Sequence, residues 1–397
     1  MKIKLLLYSH DWLPVVGGIQ TVTLSLATGL AQWGNTHPGE SVEVIFVTQT
    51  SANGMDDSAL PFRVVRRPSL RQLLALFRWS DVIDLAGPTL IPLALSWILR
   101  KRTALEHHGY QSICPNGILV FDPSHAVCPG HFMAERYLEC VRCNKKEMGL
   151  YGSVRSVLLT FPRRWLAKRV TVNVGVSPYV AQRVTLPRTV TIWNGVPAPN
   201  PAAVPILSPE WHPKCFAYLG RLVTEKGLPV LLRACHDLLS SGHDFQLRIV
   251  GDGPERSNLE NLAKEYGLSA HVHFTGSVPA QDVPLVLQGV AALVMPSVCE
   301  DVAPLAAMEQ MMAGRLLIGS DIGGLGLVVD GVGLKFPPGD AQALASCMRQ
   351  VLDDPARAIA LGHAARQRAL QMFTQDRMVQ EHVRLYRQLM QGNAATS

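Results

Sequence analysis

Short apolar runs alternate with stretches of helical periodicity along most of the chain. IKLLLYS (Ile3–Ser9) is mostly apolar, and TVTLSLATGLAQW (21–33) spaces its apolar residues three and four apart. The first pattern predicts a strand buried on both faces, the second an amphipathic helix. VEVIFVTQ, DVIDLAG and TALEHHG read as further strands of the first half. The second half repeats the rhythm, with CFAYLGR, FQLRIVGDG, VHFTGSV and AALVMPS as strands and LPVLLRACHDLL and ERSNLENLAKEYG as helices. Strands separated by helices predict parallel, doubly wound sheets in two α/β domains. TQDRMVQEHVRLYRQLM, near the end, reads as an amphipathic helix.

Between the halves, six prolines fall within Pro197–Pro213, a composition that makes a stiff linker. The expected domains are therefore 1–200 and 201–372, with 373–397 a helix packing back on the N-terminal domain. A length of 397 residues agrees, since single cores rarely grow past about 250–300 residues. Two such sheets offer a cleft at the carboxyl ends of their strands, where ligands bind in this architecture.

Hydrophobic residues make up 48% of the chain and charged residues 17%, which excludes disorder. The longest apolar stretch, Leu85–Leu99, is about 15 residues long and carries Pro88 and Pro92, too short and broken for a membrane span. The N-terminal run reads as a strand and not as a signal peptide, so a cytoplasmic location is expected. The net charge of +6 is uneven: residues 1–209 hold 21 Lys and Arg against 12 Asp and Glu, and Met148–Pro209 contains no acid. Arg155, Arg163, Arg164, Lys168, Arg169, Arg183 and Arg188 fall in that acid-free stretch. Such a field suits an anionic membrane surface or a phosphorylated acceptor, with peripheral attachment at the inner face of a membrane. No nucleic-acid-binding motif accompanies it.

Candidate chemistry lies at the strand-to-helix turns. Gly17 and Gly18 precede the first helix, where a backbone can approach a phosphate closely. Arg221 and Lys226 follow the first strand of the second half, and the two cations together suit a diphosphate leaving group. Gly251 and Gly253 in VGDGP form a tight turn that would lie against a nucleotide or serve only as a turn. In SVCEDVAPLAAMEQ, Pro304 starts a helix that ends near Gly314 and carries Glu309 on an otherwise apolar face, where a lone charge calls for a partner. Asp301, just ahead, shares space with the N–H groups of Val302, Ala303 and Leu305, either as the helix cap or beside a ligand phosphate. Residue chemistry alone does not choose between Asp301 and Glu300.

Arg221 with Lys226, VGDGP, and an acid eight positions before Glu309 ahead of MMAGRLLIGSDIGG together resemble the retaining GT-B glycosyltransferases of family four. GGIQT, GVSPYVAQRV, TIWNGV and GLKFPPGDAQALA extend the resemblance over nearly the whole chain. It implies two Rossmann-like domains facing across a cleft, with the acceptor in the N-terminal one. A nucleotide-diphosphate sugar, UDP- or GDP-linked, would bind the C-terminal one. In that family the later acid contacts the ribose and the earlier one the donor sugar, so counting back from Glu309 selects Asp301, with Glu300 as the fallback. The resemblance aligns His108 in LEHHG with a histidine that contacts the donor sugar or its phosphate, with His107 as the alternative. Leu327 stands where relatives often carry an acid. The implied chemistry is front-face transfer with retention and no catalytic metal. Alternatives on the same fold are a catalytically silent binding or scaffold protein, a phosphorylase, or a nucleotide-sugar epimerase.

Cys114, Cys128, Cys140 and Cys143 form C-x13-C-x11-C-x2-C in a segment rich in Pro and Gly with few apolar anchors. The closing C-x-x-C has structural-zinc spacing, and His125 or His131 could replace one thiol. An iron–sulfur cluster, disulfides or free thiols are the other readings. Cys215, Cys235, Cys299 and Cys347 read as core residues.

Overall fold

The computed structural model describes residues 1–15, 17–124, 126–198 and 212–392, so His125 and most of the proline-rich linker lie outside the described residues. The chain divides into two compact units: Met1–Pro123 with Cys128–Pro197 and Phe373–Ser397, and Ser124–Val127 with Ala198–Met372.

The first unit is built on β1 (Lys2–Ser9), β2 (Ser41–Thr48), β3 (Arg63–Arg66), β4 (Val82–Leu85), β5 (Arg102–His107), β8 (Val172–Gly175) and β9 (Thr189–Thr191), with β6 (Val120–Phe121) and β7 (Ala126–Val127) as two-residue strands between. The seven strands of the main sheet are parallel in the order β3-β2-β1-β4-β5-β8-β9. β1 is buried over Leu5–Ser9 because strands lie on both sides of it and helices cover parallel sheets on both faces. Its helices are α1 (Gly18–Thr36), α2 (Leu70–Trp79), α3 (Leu90–Ile98), α4 (Tyr137–Ala167), α5 (Pro178–Val184) and the C-terminal α13 (Gln375–Met390). α4 holds one residue outside helical geometry, Gly149 at φ 68°.

The second unit repeats the plan with β10 (His212–Leu219), β11 (Gln246–Val250), β12 (Val272–Gly276), β13 (Val290–Met295), β14 (Leu316–Ser320) and β15 (Leu334–Phe336), all parallel, in the order β12-β11-β10-β13-β14-β15. Its helices are α6 (Leu228–Ser240), α7 (Arg256–Glu265), α8 (Val283–Val286), α9 (Leu305–Met312), α10 (Gly323–Val329), α11 (Ala341–Asp353) and α12 (Pro355–Met372). Phe216, Leu231, Leu247, Ile249, Val294 and Ile318 are among the core residues that seal helices to sheet. In each unit the strand order reverses beside the first strand, between β1 and β4 and between β10 and β13. Open α/β sheets bind ligands at that switch point.

In the first unit a buried polar cluster ties α13 to the sheet. Glu106 of β5 accepts from His382 at 2.8 Å and pairs with His108 at 2.5 Å, while Tyr386 donates to Asp84 of β4 at 2.5 Å. Burial would drive His382 neutral, but Glu106 and the second bond, from Nδ1 to the Met378 carbonyl, lift it to about 9. Burial and the neighbouring Glu106 push Asp84 up to about 8, so at neutral pH it is protonated and the pair Glu106–His382 carries balanced charge. We expect His382→Ala to destabilise this unit by about 3–5 kcal/mol, because Glu106 would lose its buried cation. His382 has a raised pKa, so its contribution is complete below 6.5 and lost as pH rises to about 9. Melting curves between pH 6 and 10 should show a loss in the wild type that the variant lacks.

Candidate functional site

At the carboxyl edge of the second sheet, close backbone contacts fix the loops. Gly227, at φ 68°, leads from the β10 loop into α6, and a Cβ there would collide with the Pro296 carbonyl oxygen in the loop after β13. A Cβ on Gly251 would strike the Gly220 carbonyl, and one on Gly253 the Leu222 carbonyl. Leu222 N–H donates to the Asp252 carbonyl at 2.9 Å, and Val298 N–H to Glu225 at 3.0 Å. The glycines of VGDGP are thus accounted for by backbone packing against the loop that carries Arg221, whatever else approaches them.

This packing brings Lys226 and Asp301 together. The ammonium lies 2.5 Å from Asp301 Oδ1, and Ser297 Oγ donates to the other carboxylate oxygen at 2.6 Å. Burial alone would lower the lysine, but Asp301, followed by Cys299 and Glu225, holds it above its ordinary value. Arg221 is exposed nearby in sequence, its carbonyl held by Tyr218 Oη at 2.7 Å. Asp301 does not cap α9: Pro304 occupies that position and no side chain caps it. The Asp301–Val302 backbone is pressed against Gly323 and Gly324 at the start of α10, where Gly324 N–H donates to the Asp301 carbonyl at 2.5 Å. Ala303 is buried, Leu305 opens the helix, and Glu300 is buried beside Asp301. Glu309 sits inside α9 with its pKa raised by burial, and among the described residues its carboxylate has no hydrogen-bond or ion-pair partner. The partner that its apolar face called for is therefore not supplied by these residues. Leu327 is 39% exposed.

In the first unit, a cavity of about 630 Å³ opens at the switch point, lined by His10 and Asp11 after β1, Gly87 and Thr89 after β4, Gln20 of α1, and Arg155 and Arg163 of α4. Gly17 and Gly18 begin α1, whose first turn has neither a side-chain cap nor an acid, and a Cβ on Gly18 would meet nothing within 4 Å. His108 is turned toward Glu106 and its side chain is only 4% exposed, which leaves Nδ1 as the nitrogen not committed there. His107, the alternative, is a core residue: it is fully buried, bonded to Asn173 at 2.9 Å, and lowered by burial to about 4.

Cys114, Cys128, Cys140 and Cys143 are all buried free thiols. Cys114 donates to Asn116 Oδ1 at 2.8 Å, while Asn116 Nδ2 and Asp122 N–H point to Cys143 Sγ at 3.5 and 3.4 Å. Burial, then the charges of Cys114, Cys128 and Cys143, push Cys140 up to about 12, so the thiols lie within electrostatic reach of one another. His131 Nδ1 is buried without a partner. Among the described residues, three ligand atoms fall within 4.8 Å of one another only at Asp84, Glu106 and His382; the thiols are not drawn that close. The expected shortage of apolar anchors is corrected: Phe132, Tyr137 and Phe161 pack ring to ring at 5.0–5.5 Å, and Phe132 and Tyr137 share a cluster with Cys140. Among the described residues, no helix is long and apolar enough to cross a membrane.

Residues 207–368 match the family described as glycosyl transferases group 1. The 2-deoxystreptamine glucosyltransferase of Streptomyces kanamyceticus is 37% identical over 155 residues, which cover 38% of this chain and 39% of that protein. The D-inositol 3-phosphate glycosyltransferase of Corynebacterium aurimucosum is 35% identical over 162 residues, 39% of this chain and 38% of that one. The chain thus spans about two fifths of the length of these relatives. Over nearly the full length, the fold matches Anabaena HepE solved with UDP and glucose, with TM-score 0.68, 16% identity, and 96% of this chain and 99% of that one covered. It also matches the sucrose-phosphate synthase of Thermosynechococcus elongatus, with TM-score 0.70, 20% identity, and 98% and 100% covered.

Glu309 generates a prediction. A half-buried carboxylate with a raised pKa costs stability as pH rises above the ordinary value near 4.5, a loss complete once pH passes the raised value. Glu309→Gln should therefore melt no lower than the wild type at pH 7.5 without ligand, and its advantage should shrink toward pH 4.5. A variant that melts well below the wild type would show that the carboxylate has a structural partner.

Proposed function

We propose that this chain, whose residues 207–368 match the glycosyl transferases group 1 family and whose fold is GT-B, is a retaining glycosyltransferase that moves a sugar from a nucleotide-diphosphate sugar to an acceptor in glycan, polysaccharide or glycolipid synthesis. The observation that carries this reading is the meeting of Lys226 and Asp301 at the switch point of the second sheet. One strand end supplies a cation for the diphosphate, the next an anion for the donor sugar.

Arg221 and Lys226 would hold the diphosphate as its charge grows during bond cleavage, aided by the uncapped start of α1 at Gly17 and Gly18, so that no metal is required for the step. Asp301 would accept from hydroxyls of the donor sugar. Glu309 would accept from the ribose hydroxyls, which gives its buried charge the partners the protein withholds. The turn at Gly251 and Gly253 and the N–H groups at Val302, Ala303 and Leu305 would border the nucleotide, and His108 Nδ1 would contact the donor sugar. No side chain in this set is placed as a covalent nucleophile. The acceptor oxygen attacks the anomeric carbon from the face the diphosphate leaves, and the leaving phosphate oxygen takes the acceptor proton, so the anomeric configuration is kept. The base, UDP or GDP, and the sugar follow from a donor panel.

The first unit would take the acceptor. Peripheral attachment to an anionic membrane, from the cytoplasmic side, draws support from α4, where Leu150, Tyr151, Val154, Leu158, Phe161 and Trp165 are 40–83% exposed and Lys168 and Arg169 stand beside them. A structural zinc apart from the chemistry would be held by the four buried thiols, with His131 Nδ1 in reserve, and would have to draw them closer together than they stand.

Across a panel of nucleotide sugars, one donor should release nucleoside diphosphate and yield a product with the donor's anomeric configuration by NMR. Arg221→Ala and Lys226→Ala should each lower turnover by roughly 10²-fold or more. Asp301→Asn should cripple transfer and Glu300→Gln spare most of it. Donor consumption without glycosyl transfer would favour the epimerase or phosphorylase alternative, and no consumption of any donor the silent binding protein.

Elemental analysis of protein purified without chelator should find about one zinc per chain, lost in Cys140→Ser and in Cys143→Ser. Iron in its place would indicate a cluster; neither metal would leave free thiols.

A further inference from the structure

We propose that the cavity at the carboxyl edge of the first sheet binds a phosphate group of the acceptor between Arg155 and Arg163 of α4. The inference rests on the assignment of this unit to the acceptor. At about 630 Å³ the cavity has the volume of a small-molecule site. Arg155, Leu159 and Arg163 recur every fourth residue and so share one side of the helix, the side that lines it.

The cations of the acid-free stretch are not equivalent. Arg164 donates to the Val184 and Thr185 carbonyls, Arg188 to those of Lys168 and Val170, and Arg183 to that of Cys128. Arg169 stacks on Trp165 with its guanidinium 3.6 Å from the ring centroid. These serve the fold. Arg155, exposed, and Arg163, half-buried, have no hydrogen-bond acceptor and no ion-pair partner among the described residues; burial, then the charge of Arg155, lowers the affinity of Arg163 for its proton. Two guanidiniums held near each other without an anion weaken a fold. A phosphate reverses the sign of that interaction, since its oxygens accept from both at once.

The rest of the lining adds the second half of the specificity. His10 and Asp11, after β1, line the same cavity, and Asp11 is the acid that faces it. A single carboxylate in a lining with two guanidiniums leaves net positive charge, and it offers acceptor atoms to hydroxyl groups. The ligand class is therefore a hydroxyl-bearing phosphate, either a free polyol phosphate or the headgroup of a phospholipid.

Calorimetry without nucleotide sugar tests this, with glycerol 3-phosphate against glycerol as the soluble arm and phosphatidylglycerol against phosphatidylcholine vesicles as the lipid arm. Wild type should prefer the phosphate or anionic member of at least one pair. Arg155→Gln and Arg163→Gln should each weaken that binding about tenfold or more, and Arg163→Lys should restore part of it. Soluble binding would identify a free phosphate, binding to vesicles alone a lipid. Both variants should melt no lower than the wild type in phosphate-free buffer, because like-charge repulsion is relieved. Arg221→Ala should leave the preference in place, since that residue belongs to the other unit. The subsite is refuted if neither probe binds, if binding survives Arg155→Gln with Arg163→Gln combined, or if it is lost instead in Arg221→Ala. Arg-dependent binding in a protein that transfers no sugar from any donor would refute the enzymatic reading alone.

Discussion

The loops at the carboxyl edge of the second sheet can lie backbone against backbone only where a side chain is missing, and the rest of that edge depends on this. Gly227 lets the β10 loop reach Pro296, Gly251 and Gly253 press it from the other side, and Gly323 and Gly324 hold the Asp301–Val302 segment. Lys226 and Asp301 are 75 positions apart, yet they meet because both of their loops are clamped in this way. A methyl group at any of these contacts would have to push a carbonyl aside, and the ion pair would move with it.

The first unit solves a different problem. Its C-terminal helix carries His382, 276 residues after Glu106 of β5, and it is fixed to the sheet by charge as well as apolar contact. Glu106 balances His382 and holds His108 in one orientation, while Asp84, kept protonated, accepts from Tyr386 without adding a second negative charge. An isolated buried carboxylate would be costly, and the cluster is tolerable because its charges cancel. The orientation of His108 is thus set by a helix from the far end of the chain.

Against these satisfied clusters stand Glu309 in the second unit and the half-buried Arg163 in the first, charges for which the described residues offer no partner. A chain selected for stability alone would pair or replace them. Each lies at the carboxyl edge of its sheet or beside it, the edge at which open α/β sheets bind ligands.

The strands and helices of both units were legible in the sequence because burial on two faces writes continuous apolar runs and amphipathic helices write a spacing of three and four. The strand-to-helix turns were legible for a similar reason: their glycines and prolines stand out locally, and Arg221 and Lys226 fall in one of them, whereas Asp301 is singled out from Glu300 only by the family resemblance. α4 was not legible as one element, since a glycine break at 149 and an exposed apolar stripe blur its period. Nor did local sequence show that Gly251 and Gly253 lie against Leu222 and Gly220, that Asp301 lies on Lys226 and not on the N-terminus of α9, or that His382 answers Glu106. Periodicity and turn chemistry are properties of neighbours along the chain, so sequence records them; which charge faces which, and which charge is left alone, depends on residues far apart in the chain, 75 positions for Lys226 and Asp301 and 276 for Glu106 and His382, and only the packed sheets decide it.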